Sequence, residues 1–216
     1  AAAEGAIDRL VFPGLARLGV EPVLCSDAVF VRRAFLDVLG VLPTAREARE
    51  FIQDPDTRGK RARLIDGLLE RDEFADYWSM QWGDVLRIKA EFPVNLWPNA
   101  AQAYHRWVRT ALRDNLPYDR FARELLTASG SNFRDGPVNF YRTTGSREPE
   151  AIAASVTLAL MGARAERWTP QQRSALAMCF RYLGFKATGE WKEEIVYFDA
   201  DKFPAGGHAT AVFPDR

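Results

Sequence analysis

The residues best equipped for chemistry fall in two stretches. In the first, Glu73-Phe-Ala-Asp-Tyr-Trp-Ser-Met-Gln-Trp-Gly-Asp-Val-Leu-Arg87 sets Trp78 and Trp82 four residues apart. Asp84 and Arg87 follow on the last turn of a helical pattern, and Lys89–Pro98 then brings Asn95 and Trp97. The second stretch, Ser129–Gly145, carries Asn132, Phe133, Arg134 and Asp135 in sequence. Such side chains suit a polar ligand with one apolar face: Trp97 and Phe133 would stack, while Arg87, Asn95, Asn132 and Arg134 would hydrogen-bond. A glycan fits that description, and Asp84 with Asp135 would supply acid/base chemistry if their carboxyl groups stood about 5–9.5 Å apart. The competing expectation is structural. Phe74, Trp78, Trp82 and Val85 share one helical face and read as a core stripe, and Asp84 and Arg87 could pair along the helix for about 0.2–0.5 kcal/mol. Asp119, Glu124 and Glu148 are further carboxylates near the two stretches, but with 29 acidic residues in the chain a solvated surface is the default for each.

Other chemistries have thinner support. His105 sits beside Tyr104, Arg106 and Trp107 with no His, Cys or carboxylate at ligand spacing on its helix, so a hydrogen-bonded structural histidine is expected. His208 lies in a Gly-rich tail and reads as exposed. Cys25 and Cys179 are too few for a disulfide framework and too isolated for a metal cluster, so neither a metal nor a cofactor is expected. No nucleophile elbow, His-Glu-x-x-His, phosphate loop or dinucleotide glycine fingerprint is present. The 29 basic and 29 acidic residues cancel, which leaves no net field to attract nucleic acid. The longest apolar run, Ala151–Ala163, is interrupted by Ser155 and Thr157 and is too short to span a bilayer.

The elements that must position these residues are helical. Thr44-Ala-Arg-Glu47 and Thr169-Pro-Gln-Gln172 are capping boxes, and Gly40, Gly130, Gly162 and Gly184 each follow an apolar periodic segment as helix stops. Between these marks the periodicity predicts helices near 6–18, 26–39, 44–53, 58–70, 73–88, 98–114, 117–129, 148–161 and 170–183. In 98–114, Ala101, Tyr104, Val108 and Ala111 line one face and Arg106, Arg109 and Arg113 the other. Ala151–Met161 is apolar nearly all round and is expected to be the most buried helix. The only β signal is the second half of Glu190–Asp199, with Pro204, Gly206 and Gly207 before a second run, Ala211-Val212-Phe213. The expected fold is all-α, an irregular multi-helix bundle with a short C-terminal β-ribbon. Its domain would cover 1–184, and 185–216 would be an extension leading onward.

Three phrases together resemble a known family: Ser26-Asp-Ala-Val-Phe-Val-Arg-Arg-Ala-Phe-Leu-Asp-Val-Leu-Gly-Val-Leu-Pro-Thr44, then Tyr77-Trp78 with Trp82-Gly-Asp-Val-Leu-Arg87, then Asn115-Leu-Pro-Tyr-Asp-Arg-Phe-Ala-Arg-Glu-Leu-Leu126. They are similar, from about Ile7 to Gly184, to bacterial domain-of-unknown-function family 1549, also called the planctomycete cytochrome-associated domain. The resemblance implies a large exported protein, often with a c-type haem domain, and a further domain beyond Phe213. The opening Ala1-Ala2-Ala3-Glu4 fits either a mature end left by signal cleavage or an arbitrary boundary. Many family members carry Cys-x-x-Cys-His after a Phe-Leu-Gly-like turn. Here that turn reads Leu160-Met-Gly-Ala-Arg-Ala-Glu-Arg-Trp168, without the two thiols and the axial His that haem attachment requires.

The expected function is a non-catalytic, exported all-α interaction or structural module of a larger cell-envelope protein. Its partners would be the parent's other domains or an envelope protein, the two Asn/aromatic loops would form its contact surface, and it would locate to the periplasm, envelope or exterior. The alternative is a carbohydrate-binding or carbohydrate-active module with a site between loops 89–98 and 129–145.

Overall fold

The computed structural model describes residues 5–91 and 94–202. Helices form where caps and periodicity put them: α1 (Ala6–Arg17), α2 (Asp27–Leu39), α3 (Ala45–Gln53), α4 (Lys60–Leu69), α5 (Asp72–Val85), α6 (Pro98–Arg113) and α7 (Tyr118–Thr127). A one-turn α8 (Phe140–Thr143), α9 (Pro149–Met161) and α10 (Pro170–Met178) complete them. The Thr44 and Thr169 hydroxyls accept the backbone N–H three residues on, and Glu47 and Gln172 reach back to the cap N–H. Gly40 and Gly162 close α2 and α9 in the left-handed conformation, φ 70° and 61°. The all-α expectation therefore holds, apart from one small three-stranded antiparallel sheet.

That sheet corrects two sequence expectations. Strands β1 (Gly130–Ser131), β2 (Leu183–Ala187) and β3 (Glu194–Phe198) lie in the order β1-β3-β2. β3 coincides with the β-branched half of 190–199, but it pairs with β2 and β1. The second apolar run, Ala211-Val212-Phe213, lies with Pro204, Gly206, Gly207 and His208 outside the described residues. α10 stops at Met178 rather than 183 because Leu183–Ala187 are hydrogen-bonded into the sheet. Gly184 is not a helix stop: it sits in β2 opposite Tyr197, whose ring fills the space a Cβ would need.

The chain divides into two compact units, one through Phe74 and one from Ala75. In the first, α2, α3 and α4 bury Val31, Phe35, Leu39, Phe51 and Leu68 together. Lys60 is buried there too, with its Nζ 2.7 Å from Asp27 and donating to the carbonyls of Phe51 and Asp54, so the charge is both paired and hydrogen-bonded. α1 buries none of its residues. In the second unit, α6 supplies Ala100, Tyr104, Val108 and Ala111 to a core completed by Leu125, Phe140, Tyr141, Ile152, Leu176 and Val196. β2 runs continuously through positions 184 and 185.

The single stripe expected along 74–85 is split. Phe74 packs on the first unit's core and Trp82 on the second's, while Val85 is exposed, because α5 crosses from one unit into the other. α9 is also not covered all round: Ile152, Ala153, Val156 and Thr157 are buried, but Leu158 is 60% exposed. Its composition made every face apolar without providing a neighbour for each. The 129–145 stretch is largely interior rather than a contact loop. β1, a 3-10 turn (Gly136–Asn139) and α8 bury Val138, Asn139, Phe140 and Tyr141. Gly136 permits this, since a Cβ there would meet the Ala103 carbonyl oxygen at 2.6 Å.

Candidate functional site

The sequence-nominated residues take up different roles in the structure. Asp84 is exposed on α5. Arg87 leaves that helix with φ 57°, and the two make no ion pair with each other. Arg87 borders a small cleft of about 80 Å³ with Phe140, Thr143 and Leu158. Asn95 is exposed at φ 58°, and Trp97, partly exposed at φ 71°, is the residue from which α6 starts, its carbonyl accepting the Ala101 N–H. Phe92 lies outside the described residues.

In the second stretch Asn132 is fully buried. Its side-chain oxygen accepts the Glu194 N–H at 2.8 Å, its amide donates to the Lys192 carbonyl, and its own carbonyl accepts from Asn139. Asn132 therefore stitches the segment to β3. Phe133 packs against the core. Asp135 accepts the Ser131 N–H at 2.8 Å, and Arg134 reaches out to 4.0 Å from Glu193. Thus 131–135 forms one tight turn, from which the Ser131 hydroxyl, at 2.5 Å, and Arg134 both reach Glu193.

The aromatic residues of α5 and α6 form packing rather than a ligand wall. Trp82 lies 5.1 Å from Phe121 and 6.2 Å from Tyr118, and Trp107 stacks on Phe121 at 4.8 Å. Trp107 anchors its indole N–H on Glu124 at 3.0 Å. Trp78 is half-buried, edge-on to Tyr77. His105 is hydrogen-bonded, as expected: its Nε2 stands 3.3 Å from the hydroxyl of buried Ser79. The same hydroxyl lies 2.9 Å from the Asp76 carbonyl, so the serine bridges the start of its own helical turn and the imidazole of α6. Among the described residues no group of three His, Cys, Asp or Glu side chains is placed to hold a metal ion, and Cys25 and Cys179 are both free. No described helix is long and apolar enough to cross a membrane.

Two clefts in the second unit stand out. The first, about 480 Å³, lies between Arg142 and Arg147 on one side and the β2–β3 turn on the other, so the 129–145 segment faces this turn. At its base Glu194 receives Arg142 at 3.1 Å and Arg147 at 2.8 Å, and Arg147 lies over the Phe185 ring. Burial pulls the Arg142 guanidinium down against the opposing pull of Glu194. Hydrogen bonds from the Ser131 and Thr188 hydroxyls hold the Glu193 carboxyl below its ordinary range. Sequence reasoning passed over this site. Its one legible signal was Trp191, set in the polar turn Thr188-Gly-Glu-Trp-Lys-Glu193, where nothing apolar precedes or follows it.

The second cleft, about 310 Å³, lies between α9, the 3-10 turn Ala165–Arg167 and α10, and is walled by Ala153, Thr157, Trp168 and Leu176 with Glu150 and Arg173 at its rim. A family model described as a protein of unknown function, DUF1549, matches residues 6–175. The chain belongs to DUF1549. No curated protein and no solved structure matches it. In this DUF1549 domain the turn after α9, where the resemblance implies a haem stretch in many members, lines the second cleft. No thiol or imidazole is among the side chains of that wall, so covalently held haem does not fit it. Arg142 and Arg147 of the first cleft fall within the matched span, and the β2–β3 turn lies beyond it.

Proposed function

We propose that this DUF1549 domain is a non-catalytic interaction module of a larger exported cell-envelope protein, and that α1 and the segment after it contact the parent's other domains or an envelope partner. The reading is carried by one observation. Ile7, Leu10, Val11, Leu18, Val20, Val23 and Leu24 all stand exposed, Leu10 and Leu24 by 81% and 82%. Apolar surface left in water forgoes about 25 cal/mol per Å², and seven exposed aliphatic side chains within one short segment favour its being covered. The engaged state of Asn132 and Asp135 supports a role without catalysis. Export rests on the setting implied by the family resemblance.

The test is hydrogen exchange on the full-length parent protein and on this chain alone. Amides of residues 6–24 should exchange markedly more slowly in the parent, and Leu10→Asp with Leu24→Asp should abolish that protection without lowering the helicity of the isolated chain. Equal exchange in both contexts would refute the reading. Fractionation of native cells should place the parent outside the cytoplasm.

A further inference from the structure

We infer that the polar cleft between the β2–β3 turn and the Arg142–Arg147 segment is a binding site for a neutral carbohydrate, with Trp191 as its stacking platform. The inference rests on different residues from the α1 reading and stands or falls separately from it. Trp191 is 70% exposed at the lip of the cleft, although Lys192 Nζ lies 5.2 Å from its ring centroid. An indole left in water on a turn is costly unless something covers it.

The turn is held firmly. The Thr188 hydroxyl accepts the Glu190 N–H at 3.1 Å and donates to Glu193 at 2.8 Å, and the Glu193 N–H bonds to the Glu190 carbonyl at 3.2 Å. Glu193 is tied in turn to Ser131 at 2.5 Å, and Lys192 sits at φ 63°, a conformation that L residues adopt only when their surroundings impose it. The ring is therefore presented by a pre-organised backbone, which lowers the ordering cost of binding.

The cleft's charge selects the ligand class. Arg142, Arg147 and Lys192 are balanced by Glu190, Glu193 and Glu194, so no net field favours an anion or a cation. Walls built of guanidinium, carboxylate and hydroxyl groups disfavour a purely apolar ligand. A neutral ligand with one flat C–H face and a rim of hydroxyls matches both the indole and the walls, and a sugar ring has that form.

The experiment is affinity electrophoresis of the purified chain in gels containing β-glucan, xylan, galactomannan or dextran, with hyaluronan as the anionic control. Calorimetry with a hexasaccharide of the retained polymer then gives the affinity. At least one neutral polymer should retard the protein more than hyaluronan does. Trp191→Ala should weaken that affinity about tenfold or more, and Trp191→Phe should restore part of it. Because the side chain is exposed, the alanine variant should melt within about 2 °C of the parent chain. Retardation by none of the four polymers, stronger retention by hyaluronan, or an unchanged affinity in Trp191→Ala would each overturn the inference.

Discussion

Tyr104 and Tyr141 both bury their rings in the second unit's core, and burial raises both phenols above the ordinary tyrosine range. Their hydroxyls differ. That of Tyr141 donates to the Leu126 carbonyl at 2.6 Å, whereas that of Tyr104 has no partner among the described residues. A buried hydroxyl without a partner bears its desolvation cost with nothing in return, and removing one member of a buried pair leaves the other unsatisfied. Tyr104→Phe should therefore be neutral or stabilising by up to about 1 kcal/mol, while Tyr141→Phe should cost about 1–2 kcal/mol. Urea denaturation of the two variants measures this, and equal losses would show that Tyr104 has a partner after all. Neither outcome was legible from the sequence. Tyr104 was recognisable as a core position from its spacing with Val108 and Ala111, but the fate of a phenol oxygen depends on which carbonyl a distant helix brings to it.

At the level of the element, local signals and packing part company in α3 and α9. The Thr44–Glu47 box is a local device, readable from four residues, and both of its hydrogen bonds form. Thr44→Ala should cost about 1 kcal/mol, because the first turn of α3 loses an acceptor that no neighbour replaces. α9 shows the opposite case. Its apolar run suggested burial on every side, yet only the side with Ile152 and Val156 is covered in this chain. Ile152→Ala should cost about 2–5 kcal/mol and Leu158→Ser no more than about 0.5 kcal/mol, a contrast that thermal or urea unfolding would expose. Comparable losses at both sites would mean that Leu158 is covered. The sheet shows the same division. β3 was visible in its β-branched residues, but β1 is two residues long and owes its existence to the edge that β3 presents.

On the scale of the whole molecule, the two units differ in what holds them. The first relies on ion pairs around a small core, and four of its carboxyls are held below their ordinary values. Asp27 is held so by Lys60 and Arg61, Glu47 by the Thr44 hydroxyl and then Arg71, Glu73 by Arg71, and Asp56 by Arg63, down to about 2. A carboxyl with a depressed folded pKa stabilises the fold above its unfolded pKa, and that contribution disappears as pH falls through the folded value. Stability of the first unit should thus decline from about pH 4.5 toward pH 2. The second unit has depressed carboxyls too, Glu193 held by the Ser131 and Thr188 hydroxyls and Asp199 by Lys202, but it rests mainly on a larger apolar core that does not titrate. All six tryptophans lie at or beyond Trp78, so their fluorescence reports the second unit alone, whereas far-UV circular dichroism reports both. On acidification, helical signal should fall before tryptophan emission shifts. The reverse order would contradict this account.

The sequence by itself determined the helices, their caps, the absence of a thiol–imidazole set and the family, because each of these depends on residue identity within a few neighbours. Thr44 acts through its hydroxyl on its own first turn and Gly162 and Pro170 through their own backbone, and the 3.6-residue recurrence of α6 needs no knowledge of what it packs against. Only the tertiary structure decided that α5 serves two cores, that Asn132 is buried while Trp191 is exposed, and that Arg142 and Arg147 meet Glu194 across about fifty residues of chain. Burial, pairing and cleft walls arise from contacts between segments far apart in sequence, and the energy of such contacts is not carried by either segment alone.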